Sequence, residues 1–95
     1  FKVVICHIPP DNSWHGDAEV MKKFVPVLNK AGIDIMLSGH LHRHIKRDAN
    51  DKVHFPVLVN SNNAVIKAKA TTRELLLEVI SVTGDKVDSL TIKKQ

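Results

Sequence analysis

The stretch IDIMLSGHLH, residues 33–42, decides how the chain is expected to fold. Its first six residues are mostly apolar and β-rich, which indicates a buried strand, and Gly39 ends that strand. Two histidines, His40 and His42, follow at once in a polar, loop-like region that extends to Lys52. The stretch therefore predicts a strand that carries two imidazoles at its carboxyl end.

The beginning of the chain repeats this arrangement. Residues 1–6, FKVVIC, are mostly apolar, as expected for a strand covered on both faces, and His7 follows them. The region from His7 to Gly16 contains two prolines and several turn-forming residues, which predict a loop. A second strand thus also ends in a histidine.

A helix is predicted between these two strands. Asp17 is the expected N-cap, apolar residues recur at helical spacing over residues 20–31, and Gly32 is the expected terminator. Pro26 removes an interior hydrogen bond, so we expect either a kink or two short helices with Pro26 in the first turn of the second. The order strand, helix, strand is a βαβ unit, in which the two strands are parallel neighbours.

The rest of the chain predicts antiparallel strands. They are expected over residues 53–60, 64–70, 74–82 and 86–92, with a turn at Thr83-Gly84-Asp85 before the last. The expected fold class is therefore α/β, a single domain over residues 1–95 in which a βαβ unit precedes antiparallel strands.

His7, His40 and His42 are the candidate metal ligands. The carboxyl ends of neighbouring parallel strands meet at one edge of a sheet, where ligands bind in open α/β folds. Imidazole is the commonest neutral metal ligand in proteins. The alternative that stays open is that these histidines are polar loop residues that only cap the strand ends.

These residues resemble the last two of the five metal-binding motifs of the calcineurin-like metallophosphoesterase family. The match consists of an apolar strand ending in His7 with Pro9 just after it, then an apolar strand ending in Gly39-His40-Leu41-His42, and it covers residues 1–43. The resemblance implies a partial αββα fold and two divalent ions (Mn, Fe, Zn or Ni), one bound by His7 and His40 and the other by His42. It also implies hydrolysis of phosphate mono- or diesters by a metal-bound hydroxide.

The first three motifs of that family, Asp-x-His, Gly-Asp-x-x-Asp and Gly-Asn-His, are absent from this sequence. We therefore expect a C-terminal fragment of such a domain, with no complete catalytic set, at most one bound ion and no activity by itself. Its expected partners are the missing N-terminal half of the domain, a phosphoester substrate and, through the apolar first strand, a second copy in a homodimer. The alternative is a non-catalytic module that uses the three histidines for one ion.

Two further residues are candidates for substrate binding. His15, next to Trp14, is expected to line a substrate loop, and Arg43 to contact a phosphate. The alternatives are a mobile surface histidine and a solvated arginine. His44 is expected to be a solvated neighbour of the site.

Composition limits the other function classes. The chain has 95 residues, 43% of them hydrophobic and 25% charged, as in ordinary globular domains. Most basic residues behind the net charge of +4 are dispersed and only four residues are aromatic, so nucleic-acid binding is disfavoured. Only Arg43, Lys46 and Arg47 cluster, beside the histidines, where they could attract an anionic substrate. No apolar run is long enough to span a bilayer, and residues 1–95 contain no stretch with the n-region, h-region and cleavage site of a secretory signal. The single cysteine, Cys6, excludes an internal disulfide and favours the reducing cytoplasm.

Overall fold

Two short helices and two β-sheets make up residues 1–10 and 16–94, the part of the protein that the computed structural model describes. The helices are α1 (Asp17–Lys23) and α2 (Val25–Ala31). The first sheet contains β1 (Val3–Ile5), β2 (Ile35–Ser38), β3 (Ile45–Arg47) and β4 (Val57–Val59). The second contains β5 (Ala64–Ala70), β6 (Glu74–Ser81) and β7 (Lys86–Lys93).

The four-stranded sheet has the strand order β1-β2-β4-β3. β1 and β2 are parallel, with Val4 opposite Met36, which confirms the predicted βαβ unit. The expectation that only antiparallel strands follow was wrong in part, because β4 also pairs with β2 in parallel. β3, in a region predicted to be a loop, pairs antiparallel to β4. Three parallel strands therefore end at the same edge of this sheet.

The two-helix prediction is confirmed, with Pro26 in the first turn of α2. In the first turn, the N–H that proline lacks is not needed for an intrahelical hydrogen bond, and the proline ring does not clash with a preceding turn. Gly32 ends α2 in the left-handed conformation, with φ 66°. The predicted N-cap was wrong by one residue: Gly16, with φ 88°, precedes the first helical residue Asp17. Within the described ranges, neither helix has the length and apolar character needed to cross a membrane.

The four-stranded sheet lies between the helices and the three-stranded sheet. Its side chains alternate between the two faces, because successive residues of a strand point in opposite directions. The helix-side core contains Val20, Val25, Ile33, Met36, Val53, Phe55, Val57 and Val59. The core between the sheets contains Ile35, Leu58, Leu75, Leu77 and Val79. The protein is thus a small α/β domain with a mixed and an antiparallel sheet, built in three layers.

Strand β1 lies at an edge of its sheet and has one exposed face, so the expectation that it is covered on both faces was wrong. Val4 and Cys6 pack against the helix-side core, but Val3 is 41% exposed and Ile5 82% exposed. An open strand edge with exposed apolar side chains is a surface that can pair with another chain. Formation of a homodimer through this strand stays a prediction.

Asp88 on β7 connects the two sheets. One carboxylate oxygen accepts a 2.8 Å hydrogen bond from His44 Nε2, and the other lies 3.3 Å from Lys46 Nζ. His44, predicted to be solvated, is instead partly buried by this contact. The hydrogen bonds from His44 and from the Ser89 amide hold the pKa of Asp88 below its usual 3.8. The ionised Asp88 therefore stabilises the fold above pH 3.8, and this stabilisation is lost as the pH falls through the lowered pKa of Asp88.

Candidate metal centre

The polar residues of interest follow the three parallel strands. His7 comes two residues after β1, His40 two residues after β2, and Asn60 directly after β4. Backbone hydrogen bonds join these segments: the Gly39 amide donates to the His7 carbonyl at 2.9 Å, and the Asn60 amide donates to the Ser38 carbonyl at 2.8 Å. The structure therefore places His7 and His40 at the same sheet edge, as the βαβ unit predicts.

The imidazoles of His7 and His40 are neighbours. Their ring centroids lie 5.2 Å apart, and the rings are inclined at 80° in an edge-to-face arrangement. With metal–nitrogen distances of about 2.0–2.1 Å, two imidazoles on one tetrahedral ion have centroids roughly 5 Å apart. The spacing of this pair is therefore suitable for shared coordination of a single ion.

All three histidines line one open cleft of about 400 Å³. Its lining consists of His7, Ser38, Gly39, His40, His42, Asn60, Ser61 and Asn62. His42 is exposed, as is Arg43 next to it, whereas His15 lies outside the described residues. In residues 1–10 and 16–94, no three His, Cys, Asp or Glu side chains form a group that could hold an ion. The structure thus gives the site a close histidine pair with a third histidine on the same cleft.

The backbone after β2 is strained at the two candidate ligands that follow it. His40 has φ 71° and His42 has φ 57°, values that residues with a Cβ rarely adopt. The Leu41 amide donates to the Gly39 carbonyl at 2.8 Å, so His40 is the central residue of a tight γ-turn. Such conformations cost on the order of 1–3 kcal/mol each and concentrate at functional sites. This observation supports a functional role for both histidines.

Gly39 has neither an unusual backbone angle nor a contact that only glycine allows. The left-handed residue of this turn is His40, while the positive φ values among the glycines belong to Gly16, Gly32 and Gly84. A Cβ at position 39 would lie 3.5 Å from His7 Nδ1, an ordinary van der Waals contact. The His7 ring therefore lies beside Gly39 with room for a Cβ at this position.

Two polar residues of the cleft, Ser38 and Asn60, were not among the predicted site residues. Asn60 Nδ2 donates to the Ala64 carbonyl at 2.8 Å, while its Oδ1 is buried and has no hydrogen-bond partner within the described residues. Ser38 is 7% exposed, and its Oγ is also buried without a hydrogen-bond partner within the described residues. A buried polar atom without a partner costs about 1–3 kcal/mol, so such atoms often mark a site for a ligand. The signal that identifies Asn60 is its place at the end of a parallel strand.

Comparison of the chain with models of protein families gives no match, and comparison with curated proteins gives none either.

The side chains present suit one divalent ion better than two. The described residues that line the cleft offer imidazole nitrogens and neutral oxygens but no carboxylate. Two divalent ions a few ångströms apart repel each other strongly unless anionic ligands lie between them. Imidazole nitrogens suit zinc, nickel and iron, and carboxamide oxygens suit manganese. Among the described residues, the donor set therefore favours one transition-metal ion over two.

Proposed function

We propose that this chain supplies the histidine ligands of a two-metal phosphoester hydrolase of the calcineurin-like metallophosphoesterase type, in which it corresponds to the C-terminal part of the αββα domain. The observation that carries the proposal is the pair His7 and His40, whose rings lie 5.2 Å apart at the carboxyl edge of parallel strands. The strained backbone of His40 and His42 supports it.

In this proposal the three histidines have distinct roles. His7 and His40 hold one ion, and His42 on the same cleft contributes to the second. Bound divalent ions in such a centre neutralise phosphoryl oxygens and activate water for attack on phosphorus. The protein residues fix the positions of the ligands, because His7 and His40 extend from hydrogen-bonded strand ends. The open cleft leaves room for a phosphate group beside them.

The carboxylates of a two-metal centre would come from the remaining part of the domain. The described cleft supplies neutral ligands, and a pair of divalent ions needs anionic ones. By itself, this chain therefore binds at most one ion and hydrolyses no phosphoester.

The alternative function is that of a non-catalytic module that binds one structural or sensing ion. The same neutral donor set favours it, because a single ion needs no bridging carboxylate. The two functions differ in whether the bound ion keeps an open coordination position. A structural site is closed by protein ligands, whereas a catalytic site keeps a coordination position open for substrate.

Binding of a phosphate analogue separates these functions. We expect the zinc-loaded chain to bind methylphosphonate, and the metal-free chain and the His40→Ala variant not to bind it, in isothermal titration calorimetry. Binding of zinc without binding of methylphosphonate would favour the structural module. The same samples should hydrolyse p-nitrophenyl phosphate and bis-p-nitrophenyl phosphate at the rate of the buffer blank. Turnover that the His40→Ala substitution abolishes would contradict the expected inactivity.

A further inference from the structure

Resting on the proposed function, we infer that Asn60 is a further ligand of this centre, and that its Oδ1 is an oxygen donor to the ion held by His7 and His40. The resemblance to metallophosphoesterases assigns no role to this position. The inference comes from the place of Asn60 at the third parallel strand end and from the state of its carboxamide.

The backbone places Asn60 beside the two histidines. β4 is the neighbour of β2 in the sheet, and the Asn60 amide donates to the Ser38 carbonyl, two residues before His40. Asn60 and His7 line the 400 Å³ cleft together, and both also line an adjoining cleft of about 310 Å³. Asn60 therefore lies where the two clefts meet, next to His7.

The orientation of the Asn60 carboxamide is determined by its one hydrogen bond. Nδ2 donates to the Ala64 carbonyl at 2.8 Å, and a carbonyl can only accept, so the nitrogen and oxygen of the amide cannot be exchanged. Oδ1 is thereby kept on the other arm of the carboxamide, buried and without a donor among residues 1–10 and 16–94. An acceptor that is already oriented and lacks a partner gains one when it binds a cation.

Manganese and zinc should respond differently to the loss of the Asn60 oxygen, because the two ions prefer different donor atoms. A carboxamide oxygen is a hard, neutral ligand that suits manganese, whereas imidazole nitrogens bind zinc strongly. Loss of the oxygen should therefore weaken manganese binding more than zinc binding. A disturbance of the histidine pair would weaken the binding of both ions together.

Calorimetric titration of the full chain with MnCl₂ and with ZnCl₂ tests the inference. We expect Asn60→Ala to weaken manganese binding by about tenfold and zinc binding by less than about threefold. Asn60→Asp adds a negative charge but replaces the Nδ2 donor to the Ala64 carbonyl with an oxygen, so it should restore the manganese-to-zinc affinity ratio that Asn60→Ala loses. Asn63→Ala, which removes an exposed amide that does not line the cleft, should change neither affinity.

The results of these titrations distinguish a ligand role of Asn60 from a structural role. Manganese affinity of Asn60→Ala equal to that of the unmodified chain would overturn the inference and leave the proposed function standing. Equal losses for both ions, with Asn60→Asp as weak as Asn60→Ala, would assign Asn60 a structural role in the loop and also overturn it. Failure of the unmodified chain to bind either ion would overturn the proposed function and the inference together. If Asn60→Ala does not fold by circular dichroism, the manganese-to-zinc affinity ratio of Asn60→Asp decides, since a ligand role requires that ratio to rise.

Discussion

Replacement of Leu77 by alanine is expected to lower the free energy of unfolding by about 2–5 kcal/mol. Leu77 is 0% exposed and lies on β6, the central strand of the three-stranded sheet. It belongs to the core that joins the two sheets, together with Ile35 and Leu58 of the other sheet. Truncation removes buried methyl groups and leaves a cavity that strands held on both sides cannot close. Urea denaturation followed by circular dichroism measures the loss.

Val65→Ala is the matched control for this substitution. Val65 lies on β5 of the same sheet and is 61% exposed, so its truncation should change stability by no more than about 0.5 kcal/mol. A loss under about 1 kcal/mol for Leu77→Ala, or equal losses for both variants, would show that the two sheets do not share a packed core.

Replacement of His40 by alanine is expected to have the largest effect on ion binding. Outer partners of metal ligands contribute about 10–100-fold to affinity, so removal of a ligand itself should reduce zinc affinity by more than about 100-fold. The remaining imidazole of His7 would bind the ion without the chelate that two adjacent rings provide. Competition with a chromophoric zinc chelator measures affinities over this range.

His54→Ala is the control for the loss of a histidine as such. His54 is exposed, and its Nε2 lies 3.1 Å from the Asp51 carbonyl rather than on the cleft. Its removal should leave zinc affinity unchanged. Equal affinities for His40→Ala and the unmodified chain, or equal losses in both variants, would mean that zinc binds elsewhere.

The parts of the fold that the sequence predicts are those governed by local chemistry. The apolar strands before His7 and Gly39, the division of the helix at Pro26 and the final hairpin depend on hydrophobic pattern and on residues with restricted backbones. β3 could not be predicted, because Ile45–Arg47 has only three residues and becomes a strand by pairing with β4. The exposure of β1 agrees with the expected homodimer surface and not with the apolar pattern of residues 1–6, which by itself predicts a strand covered on both faces.

The sequence predicted only part of the candidate site. His7 and His40 follow apolar strands joined by a helix, and this order implies that they share a sheet edge. Asn60 follows a predicted strand on the expected side of the site, but asparagine is common in turns, and only the parallel pairing of β4 with β2 distinguishes the two interpretations. The left-handed conformations of His40 and His42 were hidden too, since residues with a Cβ seldom adopt them. The contact of His44 with Asp88 joins residues 44 positions apart and depends on the packing of the two sheets.

The central claim is that His7 and His40 bind the same divalent ion. X-ray absorption at the zinc edge, measured on the chain with one equivalent of zinc, tests it most directly. The predicted result is a first coordination shell that contains at least two imidazole nitrogens at about 2.0 Å, with the outer-ring scattering characteristic of histidine, and one imidazole fewer in the His7→Ala variant. A first shell composed of oxygen without imidazole scattering, or a spectrum unchanged by His7→Ala, would contradict it.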